Sequence, residues 1–174
     1  MKKYTYILFL LVCFTATVSA FGQTDKVKLQ VDSLKYVTGD AFDCSSLVWR
    51  IVATKQDAIQ ILIDKLSDTT LTKATYKCTN TFLRVGDLAY LALDQILPLP
   101  FFSVTGMQCD VIENGCQVGV FTYIETNRKK FNAQVQKYYD IKKNTMEWIQ
   151  FDSNHLIPCR TMNNVKGYYK VSNK

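Results

Sequence analysis

The stretch RVGDLAYLALDQIL, residues 84–97, constrains this chain more than any other part of it. Val85, Leu88, Ala89, Ala92, Leu93 and Ile96 recur at spacings of three and four, which places them on one face of a helix; a strand would alternate at period two. Pro98 and Pro100 follow, and neither can continue a helix. Upstream, QDAIQILIDKLSD repeats the pattern, with Ala58, Ile59, Leu62, Ile63 and Leu66 on a continuous stripe. A shorter segment precedes it, in which Asp43 is placed to cap a helix start and Leu47, Val48, Ile51 and Val52 share a face. The short link between the first two segments predicts an antiparallel helical hairpin. The polar run from Thr69 to Thr81 predicts a loop before the third.

Past Pro100 the pattern is less regular, and Phe101, Phe102 and Val104 are expected to pack beneath a loop that holds Cys109 and Cys116. A fourth helix is predicted from about Thr126 to Lys143, with Phe131, Val135, Tyr138 and Tyr139 facing inward. Its opposite face carries Arg128, Lys129, Lys130, Lys137, Lys142 and Lys143, the usual composition of a solvated face, and it permits weak contact with an anionic surface. MEWIQF and GYYKVS, residues 146–151 and 167–172, are rich in aromatic and β-branched side chains and predict a small C-terminal β-hairpin. The expected fold class is therefore mainly α: a compact antiparallel helical domain with that hairpin attached.

The first residues, MKKYTYILFLLVCFTATVSA, have the layout of a secretory signal peptide: Lys2 and Lys3, an apolar run from about Ile7 to Val18, then Val18-Ser19-Ala20 as a small-residue cleavage site. The run is shorter than the roughly 20 apolar residues a spanning helix needs. Cys13 follows Leu10-Leu11-Val12 and lacks the small preceding residue that a lipidation site prefers. Residues 1–20 are thus read as a signal peptide and 21–174 as a single domain, about 154 residues, long enough to bury a core. Removing Lys2 and Lys3 from the 21 basic residues leaves 19 against 15 acidic ones, a formal charge near +4. That balance, and export itself, point away from nucleic acid as a partner.

Five cysteines follow the leader: Cys44, Cys78, Cys109, Cys116 and Cys159. In an oxidising compartment they predict up to two disulfides and one remaining thiol. Five choices of the odd cysteine times three pairings of the other four leave fifteen connectivities open. Within CDVIENGC the Asn114-Gly115 turn favours a local Cys109–Cys116 pair. Zinc is disfavoured, because there is no CxxC pair and His155 is the only histidine.

AIQILIDKLSD followed by RVGDLAYLALDQIL resembles HEAT-like repeats, carried here by Ala58, Ile59, Leu62, Ile63 and Leu66, then Val85, Asp87, Ala89, Ala92 and Leu93. The small Ala89 and Ala92 suit close helix approach. The span from Gly39 to Trp148 also resembles an uncharacterised family of short exported bacterial proteins, through Gly39-Asp40, Trp49, LIDKLSDTT, GDLAYLAL and the NRKKF helix. These resemblances imply a small α-helical domain with no assigned activity. Repeat arrays need about three units to be stable, and about two are countable here, so the irregular middle, a disulfide and the C-terminal strands are expected to cap the core.

FDCSSLV, residues 42–48, is similar to the FDCSGLV nucleophile motif of NlpC/P60 cell-wall peptidases, a resemblance that implies Cys44 as a nucleophile. VGDLAYL and CQVGVFTYI then stand where that family has its GDLVFF and HVGIY strands. Chemistry objects. Gln117 occupies the position of the family's histidine and cannot act as a general base, VGDLAYL keeps helical spacing, and His155 would have to return from a distant loop. The primary expectation is an exported, non-catalytic helical module that binds another envelope protein, with no catalytic, cofactor-binding or metal-binding residues and no transmembrane span. The alternative is an NlpC/P60-like cysteine peptidase acting on cell-wall peptide through Cys44.

Overall fold

The computed structural model describes residues 24–79, 81–108, 112–117, 119–152 and 157–172. The proposed leader, Cys109 and His155 lie outside these residues. The described chain is mainly α-helical, with three small two-stranded sheets.

At its centre is α4, Val85–Ile96, which ends one residue before Leu97 and two before Pro98. Every residue from Val85 to Leu93 is buried, not only the predicted stripe. A helix buried on all sides must be covered on all sides. Two covers come from α2 (Leu47–Val52) and α3 (Gln56–Lys65). The predicted stripe of α3 is fully buried at Ala58, Ile59, Leu62, Ile63 and Leu66. Both helices pack chiefly on α4 instead of on each other, so the expected hairpin gives way to two helices sharing one central partner. The link between them turns at Lys55, a non-glycine residue held at φ 56° and ψ −125°, whose ammonium lies 4.8 Å from the Trp148 ring centroid.

A further helix spans residues 24–32 (α1) and continues into a 3₁₀ turn at Ser33–Tyr36. It contributes Val27, Val31 and Leu34 to the core, one apolar residue per turn in a lysine-rich setting. So narrow a stripe gives little periodic signal in sequence. Strand β1 (Thr38–Asp40) follows and pairs in parallel with β2 (Lys73–Thr75), Thr38 opposite Lys73 and Asp40 opposite Thr75. The predicted polar loop is therefore ordered: the chain folds back on itself, with Thr72 N–H donating to Leu83 O and Leu83 N–H to Ala74 O.

After α4 a short helix, α5 (Phe101–Thr105), buries Phe101 against Tyr123 and Phe131 but leaves Phe102 exposed, contrary to expectation. The Asn114-Gly115 turn does form, as a hairpin between β3 (Ile112–Glu113) and β4 (Cys116–Gln117). Both turn residues have positive φ, 51° and 75°, the pattern that suits Asn-Gly.

The fourth predicted helix is longer than expected. Helix α6 runs Val120–Lys142, with a kink at Asn127 (φ −128°, ψ 23°) where the Asn127 side chain donates to the Tyr123 carbonyl. Starting at Val120 changes its inward face, since Val120, Ile124, Arg128, Phe131, Val135 and Tyr139 now form one stripe at spacings of three and four. Arg128 is thus buried, 8% exposed, and not on the solvated face. Strands β5 (Met146–Gln150) and β6 (Gly167–Val171) form the predicted C-terminal hairpin, antiparallel, with Trp148 opposite Tyr169. A short helix, α7 (Pro158–Met162), lies in their connection.

One ion pair ties the two main helices. Asp87, in the first turn of α4, accepts Arg84 N–H at 2.7 Å through Oδ2 and Arg128 Nη2–H at 2.8 Å through Oδ1. Its own turn can come this close to the end of α3 because residue 86 is glycine: a Cβ there would collide with the Leu66 carbonyl oxygen and stand 2.9 Å from Arg128 Nη1. Breaking a buried pair from one side strands the other charge, at about 3–5 kcal/mol. Asp87→Ala is therefore expected to lower urea-unfolding stability by about that much, whereas Asp87→Leu with Arg128→Met loses far less; equal losses in both proteins would refute the buried-charge account.

Candidate functional site

The sequence singles out Cys44, which sits in a turn before α2. Asp43 does not cap that helix: the N-cap position is Ser46, and Asp43 Oδ1 instead accepts hydrogen bonds from Ser45 N–H and Oγ–H at 2.8 and 2.5 Å. Those bonds hold the Asp43 carboxyl below its ordinary range. Cys44 is bonded to Cys159 of α7, across 115 residues of sequence. Asn163 reinforces the joint by donating to Cys44 O at 2.8 Å. A sulfur in a disulfide has no thiolate to offer as a nucleophile. The segment Val85–Leu91 is helical, and Gln117 is exposed in β4.

The second bridge joins Cys78 to Cys116, 38 residues apart, so the hairpin turn delivers Cys116 to the 76–79 loop and not to Cys109. Loop closure alone gives each bridge roughly 4–5 kcal/mol of stabilisation in the chain-entropy account. Among the described residues no cluster of three or more His, Cys, Asp or Glu could hold a metal ion. No helix among them is long and apolar enough to cross a membrane.

Beside the Cys44–Cys159 bridge, Arg160 lies 4.3 Å from the Phe151 ring centroid and 5.8 Å from that of Trp49, and donates to Gln95 Oε1 at 2.5 Å. Burial pulls its pKa down, opposed by the Asp94 charge. Asp94 shifts the other way. Burial raises its carboxyl above 3.8, against the lowering effects of the Leu99 N–H bond at 3.0 Å and the Arg160 charge.

A cleft of about 580 Å³ lies between the 71–84 segment and the N-terminal half of α6. Leu71, Phe82, Leu83 and Phe121 supply its apolar lining, and Arg84, Asp87, Glu125 and Arg128 supply its charge. Arg84 donates to Thr69 O at 3.0 Å and stands 4.0 Å from Glu125. The Cys78–Cys116 bridge ties the adjoining loop to β4, and the Phe121 ring lies 5.7 Å from that of Tyr76 and 5.9 Å from that of Tyr90. A second cleft, with Tyr36, Val37 and Lys73 in its walls, shares Leu71 with the first. Tyr36 lines one of these clefts, Phe82 the other and Leu71 both, and the three are 73, 53 and 59% exposed. Contiguous exposed apolar side chains with a polar rim mark interaction surfaces more often than isolated ones do.

Sequence reading missed this surface. Leu71 falls in the run read as a polar loop, Phe82 directly follows it, and Arg128 is expected on the solvated face. The i, i+4 step from Ile124 to Arg128 was the available signal. No family model, curated protein or solved structure matches the chain.

Two measurements test this geometry. Alkylation of the unreduced protein should leave Cys44, Cys78, Cys116 and Cys159 unmodified, and Cys44→Ala with Cys159→Ala should lower Tm by roughly 10 °C; a modified Cys44 in unreduced protein overturns the pairing. For Asp94 the raised folded pKa means that the neutral acid is favoured by the fold, so its contribution is full below 3.8 and is lost as pH rises through the folded value. Asp94→Asn, which keeps the acceptor for Leu99 N–H, should match the parent at acid pH and exceed its stability at pH 7. A variant no more stable at pH 7 than at pH 3, relative to the parent, contradicts this.

Proposed function

We propose that this protein is an exported, non-catalytic helical module that binds another protein of the bacterial envelope, and that Tyr36, Leu71 and Phe82 are its contact residues. The single observation that carries the reading is the exposure of these three apolar side chains along adjoining clefts. Aromatic and leucine side chains gain from burial, about 25 cal/mol per Å² of apolar area, and here the fold leaves them open. The charged rim of Arg84 and Glu125 suits recognition of a partner of mixed charge.

Export is supported by the basic and apolar layout of residues 1–20 and by two disulfides, which persist outside the cytosol. The resemblance of residues 58–68 and 84–97 to HEAT-like repeats favours binding over catalysis, as does the absence of a thiol at Cys44.

The test is a photo-crosslinking residue at Phe82, in cells exporting the protein, against the same probe at Met162 on α7. Phe82 should give a discrete protein adduct that Leu71→Asp abolishes, and Met162 should not. Identical adducts from both positions, or adducts indifferent to Leu71→Asp, would dismiss the surface. N-terminal sequencing of the exported protein should begin at Phe21.

A further inference from the structure

None of the five residues of α7 is buried. Ile157, just before it, and Met162, at its end, are 48 and 71% exposed, and of its apolar side chains Cys159 alone packs against the core, half-buried. A helix this short has no stability of its own. What holds it is the Cys44–Cys159 bond, with Asn163 Nδ2–H donating to Cys44 O at 2.8 Å and Arg160 Nη2–H to Gln95 Oε1 at 2.5 Å.

Arg160 partly opposes this position. Its guanidinium lies against the Phe151 and Trp49 rings, where stacking is favourable but burial disfavours the charge. Nη1 is buried without an acceptor. The Asp94 charge acts on Arg160, yet the two form no ion pair among the described residues. A buried donor without an acceptor and a desolvated charge without a counter-ion both favour return to water. Trp49, by contrast, is only 1% exposed with Arg160 in place.

We infer that α7 is a redox-released strap: reduction of Cys44–Cys159 by a dithiol frees residues 157–163 and uncovers Trp49 while the helical core stays folded. Both cysteines are half-buried and not enclosed, so a reductant can reach them. A thiolate of the dithiol attacks one sulfur of the bridge, forming a mixed disulfide and releasing the other cysteine as a thiolate that takes a proton. The dithiol's second thiolate then displaces the protein, so two electrons pass to Cys44 and Cys159 and the dithiol leaves as a disulfide. The released stretch has natural ends. Val165, 1% exposed, anchors the chain as it enters β6, and β5 stays paired through Gln150 with Gly167. No buried core residue lies between 157 and 163, so the core keeps its packing. Neither cleft that carries the protein-binding reading is lined by Trp49, Phe151 or α7, and the strap is independent of that reading.

The experiment follows amide hydrogen exchange by mass spectrometry in the disulfide-bonded protein and after dithiothreitol, with alkylation reporting which cysteines are reduced. Cys44 and Cys159 should become alkylated, and exchange in 157–163 should rise at least tenfold more than in 58–66 or 85–96. Hydroxyl-radical footprinting should then oxidise Trp49 several-fold faster, with Phe131 unchanged. Because dithiothreitol also reaches Cys78–Cys116, Cys44→Ser with Cys159→Ser should reproduce both changes without reductant. Equal rises across 58–66, 85–96 and 157–163 would mean that the bridge supports the whole fold and would overturn the strap. So would α7 amides that stay protected once the bridge is cut, an unchanged Trp49, or a Cys44–Cys159 bond that dithiothreitol leaves intact in the folded protein.

Discussion

The structure depends on the need to cover α4. From Val85 to Leu93 no side of this helix reaches solvent, and hydrophobic burial of that kind is favourable only if neighbours arrive from every direction. Helices α2 and α3 flank it, the turn at Ser33–Tyr36 and strand β6 close two further sides, and Tyr90 meets Phe121 and Phe131 of α6 edge-on. Residues 34, 49, 63, 88 and 131, distant in sequence, join one continuous core through this helix. The small Ala89 and Ala92, both fully buried, permit close approach of the flanking helices.

A helix so enclosed raises the question of its one charged residue in the buried run, Asp87. Its position answers it. In the first turn, Asp87 meets backbone N–H groups that have no intrahelical partner and a helix end that favours negative charge. It satisfies one of the flanking N–H groups at Arg84 and meets the guanidinium of Arg128. The pair joins α6 to α4 beside the cleft that Phe121 and Glu125 also line. The bridges work at a different level: Cys44–Cys159 holds α7 to the turn before α2, and Cys78–Cys116 holds the β3–β4 hairpin to the 76–79 loop. They restrain peripheral segments whose own apolar area is small, which is where a covalent tie adds most to a weak local core.

Much of the fold was legible in the sequence because it rests on local periodicity. The stripes of α3 and α4, the stop at Pro98, the Asn114-Gly115 turn and the pairing of residues 146–150 with 167–171 all follow from spacing and residue type. The errors share one cause. Asp43 satisfies a turn and not a helix end, Cys116 pairs with Cys78, and Phe102 faces solvent, because each outcome was set by which distant segment came near. The cleft carried no motif at all. Its members come from residues 71–87 and 121–128, and only α6 packing beside α4 makes them neighbours.

The amino-acid sequence by itself determined the helical class, the central helix and the small C-terminal sheet, since backbone geometry converts spacing into faces without reference to the rest of the chain. Tertiary structure alone decided the disulfide pairing, the burial of Arg128 and the exposure of Tyr36, Leu71 and Phe82. Those are properties of a position in space: whether a side chain meets sulfur, carboxylate or water depends on what another part of the chain brings to it, and periodicity holds no record of that.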